Sequence, residues 1–285
     1  EVSISRPADF TPETELHDRL MDEIRSYNPT ADLSRVEAAY QMALKAPQGQ
    51  KRGSGEPYII HPLNVALILA DLELDLDSII ASLLHDVIED TEVTYQDIEE
   101  QFGTDVANIV DGVSKVTQID WTVDKGHMEA ENLRKMFMAM SRDIRVILIK
   151  LADRLHNTRT MEFQSPAKQR SKCLENMEVY APLAPRLGIQ AIKWELEDTS
   201  IKYLDPVAYE EIQQTLAERE RESTPFMESV YQKLSRRMEE AGIHGQITYR
   251  LKHVYSIYRK MYSQNLNLSE VYDLYALREL VDSIP

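Results

Sequence analysis

Two histidines and two aspartates in this 285-residue chain have the types and order of a metal site: His61 in "RGSGEPYIIHP", the pair His85–Asp86 in "LLHDVIEDT", and Asp153 in "VILIKLADRLHNTRT". Two imidazoles with two carboxylates suit manganese, iron or zinc better than calcium, which prefers oxygen alone. Glu89 and Asp90 follow His85–Asp86 within the same stretch. Like charges about 4 Å apart repel by ~4 kcal/mol at an effective dielectric of 20, so convergence of Asp86, Glu89, Asp90 and Asp153 requires a cation. Beside such a cation, a carboxylate that is not a ligand can take a proton from a bound water.

Helices must hold these groups. At 100° per residue, Ile79, Ile80, Leu83, Leu84, Val87 and Ile88 gather on one side of a helix over residues 79–90, and His85, Asp86, Glu89 and Asp90 lie roughly opposite. Taken alone, that face reads first as the solvated side of an amphipathic helix. Residues 146–152 are apolar around most of a helix and therefore buried, so Asp153 needs a partner or a metal. Asp153, Asn157 and Thr160, spaced by four and three, share one face at its end. His61 stands at a loop-to-helix junction near Arg52 and Ser54, where in isolation a purely structural histidine is the first reading.

The pattern is helical from about Glu13 to Ala46, with Asp32 or Ser34 available to cap "PTADLSRVEAAYQMALKA". After the glycine- and proline-broken loop "QGQKRGSGEPY", Pro62 suits a helix start and Asp77 is placed to cap "DLDSIIASLLHDVIEDT". "TYQDIEEQFGTDVANIVDGVSKVTQ" continues helically, and "IDWTVDKGHMEAEN" is a more polar segment. Residues 166–204 read as a connecting helical bundle, and Pro206 to about Ala241 as a charged helix. At "GQITYRLKHVYSIYRKM" β-branched, aromatic and basic residues mix, which predicts the start of an α/β domain.

Composition excludes several classes. A formal net charge of −16 repels phosphates at long range, so a general nucleic-acid coat is excluded and a phosphate ligand must be welcomed by a local cation. Cys173 is the sole cysteine, a small half-buried helical side chain on this reading, which fits a reducing cytoplasm and excludes disulfides and cysteine metal clusters. Runs such as "VALILA" fall far short of the ~20 apolar residues of a bilayer helix. The acidic amino terminus lacks a signal core. A start without methionine and a stop at "VDSIP" suggest a piece of a longer protein.

The order His, His-Asp, Asp resembles that of the HD-domain metallophosphohydrolases. "SGEPYIIHP", "LLHDVIEDT", "AENLRKM", "YAPLA.RLGI" and "KHVYSIYRKM" further resemble the Rel/SpoT enzymes that degrade and make the alarmone (p)ppGpp, with wording closer to SpoT. The resemblance implies a mainly α chain. An all-helical HD-type hydrolase domain over residues 1–165 would be followed by the connector at 166–204. The amino-terminal part of an α/β pyrophosphoryl transferase, the synthetase, would occupy 205–285.

It also implies that His61, His85, Asp86 and Asp153 hold Mn2+, and that Glu89 and Asp90 orient or deprotonate the attacking water. Arg52, Ser54, Asn157 and Thr160 would contact the nucleotide, and the products would be GDP or GTP plus pyrophosphate. His156 and Arg154 read as supporting residues. On the synthetase side Arg250, Lys252 and Ser256 match ATP contacts and Asp273 a Mg2+ carboxylate. Gly53 stands where many members carry a long side chain, with Lys51 a candidate substitute, and Tyr249 replaces a family glycine. The implied partners are (p)ppGpp, regulatory carboxyl-terminal domains and a ribosome or other regulator, with no membrane and no direct nucleic acid. A silent (p)ppGpp-binding regulator and a synthetase active in a longer parent are the competing functions.

Overall fold

The structure is a computed structural model that describes residues 11–45, 55–117, 138, 142–271 and 273–281. Lys51, Arg52, Gly53, Ser54 and the segment "IDWTVDKGHMEAEN" lie outside the described residues, as does the side chain of Tyr249. The chain divides into two compact units, Glu1–Leu196 and Glu197–Pro285, and the division falls within the expected connector.

The first unit is helical. Helix α1 (Glu13–Tyr27) buries Leu16, Leu20 and Ile24, a spacing of four that makes one apolar stripe. Helix α2 (Leu33–Lys45) begins where Asp32 accepts a hydrogen bond from the Ser34 N–H. Helix α3 (Ile60–Asp71) has Pro62 in its first turn and buries every residue from Ile60 to Ala70. A helix apolar on all sides has no solvent face to offer, so it becomes the centre of the bundle. Helices α1, α4 (Leu76–Leu83) and α8 (Arg145–Arg159) all pack against it.

The short helix α5 (Val87–Asp90) and the helices α6 (Tyr95–Phe102) and α7 (Thr104–Thr117) follow α4 along the chain. Thr94 and Asp97 close a capping box that starts α6. Helix α7 packs on both α4 and α8. A Cβ on Gly112 would stand 2.7 Å from Val146 Cγ2, so only glycine permits this approach of α7 to α8. Helix α9 (Pro166–Glu175) buries Cys173 fully rather than half, and a π-helical turn at Asn176–Tyr180 follows it.

Two sequence expectations need correction here. The helix expected to run through residues 79–90 is interrupted: Leu84, His85 and Asp86 form a turn between α4 and α5. The His85 ring bonds the Ser82 carbonyl at 2.7 Å through Nδ1, occupying the acceptor that the Asp86 N–H would need to continue the helix. Leu84 and Asp86 accordingly sit near φ −104°, ψ 2° and φ −102°, ψ −7°. The cap of α4 is Asp75, which accepts from the Ser78 N–H, while Asp77 pairs with Arg35 at 3.0 Å.

The second unit has its own core, including Ile212, Leu216, Val254, Ile257, Val271 and Leu274. Helix α11 (Pro206–Glu240), capped by Asp205, follows helix α10 (Gln190–Leu204) and precedes strand β1 (Gly245–Leu251). Strand β2 (Tyr275–Val281) pairs antiparallel with β1 in a register running from Gly245↔Val281 to Leu251↔Tyr275. Helix α12 (Val254–Gln264) connects them, giving the mixed α/β character expected of this region.

Candidate metal centre

Three elements deliver the ligand set. The first turn of α3 supplies His61, the turn between α4 and α5 supplies His85 and Asp86, and the buried helix α8 supplies Asp153. Candidate ligand atoms of His61, His85 and Asp153 all lie within 4.8 Å of one another. His61 Nε2 is 3.2 Å from Asp153 Oδ1 and 3.7 Å from Asp86 Oδ2. His85 Nε2 is 3.1 Å from Asp86 Oδ2.

The sequence-based contrast between a solvated acidic face and a metal site turns on burial. On the face in question His85 is buried and Asp86 half-buried, while Glu89 and Asp90 are exposed, so the solvated-face reading fails for the ligand pair only; His61 and Asp153 are buried as well. Desolvation opposes the Asp153 carboxylate, yet Lys150 and the His61 and His85 rings hold it well below the usual carboxylate range. Lys150 Nζ donates to Asp153 Oδ2 at 2.6 Å and to Thr117 Oγ1 at 3.0 Å. The Asn157 amide donates to Asp153 Oδ1. Asp86 is likewise lowered: burial works against its charge, and His85 and His61 outweigh it.

His85 shows most clearly what the centre can accept. A backbone carbonyl can only accept, so the Ser82 contact fixes a proton on His85 Nδ1 and aims Nε2 at the acids. That Nε2 is fully buried and, despite its closeness to Asp86, makes no hydrogen bond of proper alignment. Burial disfavours its protonation, but Asp86 and Asp153 overcome this and raise the imidazole to about 9. The acids thus favour positive charge beside Nε2, where a divalent cation would sit. An orphaned imidazole nitrogen, a second imidazole and two ionised carboxylates are a donor set that fits such an ion.

Glu89 and Asp90 lie on α5, just past the ligand pair, and both are exposed. Partial burial raises Glu89 above an ordinary glutamate, with nearby Asp86 adding to the rise and Ser114 and Lys150 opposing it. Tyr58 donates its hydroxyl to Asp90 Oδ2 at 3.0 Å. Thr160 caps α8, with Oγ1 3.4 Å from the carbonyls of His156 and Asn157.

The HD-domain family matches residues 39–190. This chain belongs to the HD-domain family. Its most similar curated relatives include a GTP pyrophosphokinase of Myxococcus xanthus, 44% identical over 92% of this chain and 35% of the relative. The bifunctional (p)ppGpp synthase/hydrolase SpoT of Escherichia coli is 45% identical over 94% of this chain and 38% of its own. A probable guanosine-3′,5′-bis(diphosphate) 3′-pyrophosphohydrolase of Synechocystis is 48% identical over 82% of this chain and 31% of its own. The chain therefore spans about a third of the length of these relatives. A solved metazoan orthologue of SpoT is 30% identical, with a TM-score of 0.38 over 47% of this chain and 73% of that one.

Two residues of the HD domain escaped or outgrew the sequence reading. Lys150 was not singled out, although a lysine inside the apolar run "VILIKLAD" three residues before an aspartate has to find a carboxylate. His156, read only as supporting, has its Nδ1 2.8 Å from His61 Nδ1 in a buried contact. Arg154, also read as supporting, forms an ion pair with Glu175 at 2.6 Å and lies over the Tyr180 ring.

Outside the HD domain, Lys252 and Lys260 both hold Asp273 at 2.6 Å, one on each carboxylate oxygen. Arg250 is exposed on β1, and Ser256 is half-buried in the first turn of α12. Among the described residues no helix is long and apolar enough to cross a membrane.

Proposed function

We propose that the HD domain hydrolyses the 3′-pyrophosphate ester of (p)ppGpp, releasing GDP or GTP and pyrophosphate, with Mn2+ held by His61, His85, Asp86 and Asp153. The observation that carries this reading is the buried cluster of His61, His85 and Asp153 donor atoms within 4.8 Å, in a chain whose relatives bear hydrolase names. When bound, the ion would lower the pKa of a water and neutralise pyrophosphate oxygens.

The chain's own groups do the rest. Glu89, raised by partial burial and standing beside Asp86, is suited to accept a proton from the water and hand it on, and Asp90 orients the same water. Lys150 keeps Asp153 ionised through Oδ2, while Oδ1, which also accepts from Asn157, faces His61 and would serve the cation. Asn157 and Thr160, at the end of α8, contact the nucleotide together with Arg52 and Ser54. Arginine forks onto paired phosphate oxygens, which makes Arg52 the natural pyrophosphate partner.

For the second unit we assign Arg250, Lys252 and Ser256 to nucleotide contacts and Asp273 to Mg2+, as the beginning of a synthetase site. The cytoplasm is the compartment, with the regulators named above as partners of a longer protein. The test is incubation of the chain with ppGpp, with and without Mn2+, followed by chromatography. GDP and pyrophosphate should appear only with the metal. Tight ppGpp binding without turnover in Mn2+ would instead favour a silent regulator.

A further inference from the structure

The two imidazoles of the centre are oriented by different kinds of partner. His85 has its tautomer dictated by the Ser82 carbonyl, which cannot donate. His61 Nδ1 faces another imidazole, His156 Nδ1, at 2.8 Å, and the rings lie 4.9 Å apart between centroids. Both residues are buried, at 2% and 5% exposure. At that distance one nitrogen must carry the proton and the other the lone pair.

Two arrangements satisfy the contact. In the first, His156 donates and His61 bears its proton on Nε2, facing Asp153 Oδ1 at 3.2 Å and Asp86 Oδ2 at 3.7 Å. In the second, His61 Nδ1–H donates to the lone pair of His156, and His61 Nε2 presents a lone pair to the site. Only the second makes His61 a ligand. A carbonyl at this position would enforce it, whereas an imidazole permits either.

We propose that His156 is a positioning residue for the metal centre: its Nδ1 accepts from His61 Nδ1–H, which fixes the ring and directs His61 Nε2 at the cation. This rests on the metal-binding reading given above. Partners that hold the far nitrogen of a metal-bound histidine change affinity by roughly 10–100-fold when removed.

The test uses the full chain and Mn2+ alone, with free ion followed by electron paramagnetic resonance. His156→Leu removes the acceptor and should weaken Mn2+ binding by about 10–100-fold. His156→Asn, whose amide can place an oxygen near the former Nδ1, should restore affinity to within a few-fold of the unsubstituted chain. Unchanged affinity in His156→Leu, or an equal loss in both variants, overturns the proposal. Should the variants not fold, 15N ring shifts of the unsubstituted chain loaded with diamagnetic zinc decide it. A His61 ring protonated at Nδ1 supports the assignment, and one protonated at Nε2 overturns it. Failure of the unsubstituted chain to bind Mn2+ or zinc sinks the metal reading and this proposal together.

Discussion

The two units each carry an aspartate tied to lysine, and they neutralise it in opposite ways. Asp153 is buried, and Lys150, His61 and Asn157 converge on its two oxygens from inside the bundle. Asp273 is about half-exposed, and two lysine side chains reach it through solvent-accessible space. A buried carboxylate is held by an arrangement it cannot leave without stranding charge, while an exposed one shares its partners with water. The first kind of site can preorganise donors for a metal. The second can let its lysines go when a ligand arrives.

The largest effect should follow from breaking the buried side. Asp153→Ala leaves Lys150 uncompensated in the interior, so unfolding free energy should drop by about 3–5 kcal/mol in denaturant titration. Mn2+ binding should vanish with it. If Asp153→Ala costs no more than a surface substitution, the buried-pair account is wrong.

Metal removal comes next. Mn2+ at 100 times its dissociation constant should add about 2.7 kcal/mol of stability, which EDTA takes away, and the shift should be visible in the thermal midpoint. An equal melt with and without EDTA contradicts a site confined to the native state.

The scaffold that sets the distance between α7 and α8 gives a third test. Gly112→Ala would place a methyl 2.7 Å from Val146 Cγ2, so a loss of about 1–3 kcal/mol is expected, measured by the same titration. Pairing it with Val146→Ala should recover part of the loss, because the clashing methyls are then gone.

The exposed side should respond least. Asp273→Asn should cost about 0.2–1 kcal/mol, and less at high salt. Hydrogen bonds from Lys252 and Lys260 hold the Asp273 carboxyl below its ordinary value. A depressed carboxyl favours folding above the unfolded pKa of about 3.9 and loses that contribution as pH falls through the lower folded value. The difference between Asp273→Asn and the unsubstituted chain should therefore be full near neutrality and shrink below about pH 4. A difference as large as that of Asp153→Ala would erase the contrast between the units.

The sequence was informative where burial is written in composition. All-apolar "VALILA" and "VILI" mark α3 and α8 as the central helices, and the acid inside the second of these had to have a partner. The order His61, His85–Asp86, Asp153 was readable because His61 and Asp153 stand in these two helices and His85–Asp86 directly follows the buried run of α4. The turn at Leu84–Asp86 was not, because it depends on one ring taking one carbonyl, which periodicity does not encode. Nor was the choice of Asp75 over Asp77 as cap, since two acids two residues apart compete and the Arg35 pairing removes one of them. The contact of His61 with His156 spans 95 positions and exists only once α3 and α8 pack together.

The central claim is that these buried donors make a metal-dependent hydrolase, and its most direct test compares the chain with Asp86→Ala on ppGpp in Mn2+. Pyrophosphate and GDP should form with the unsubstituted chain, stop on chelation and be lost in the variant. Unaffected turnover in Asp86→Ala would contradict the account.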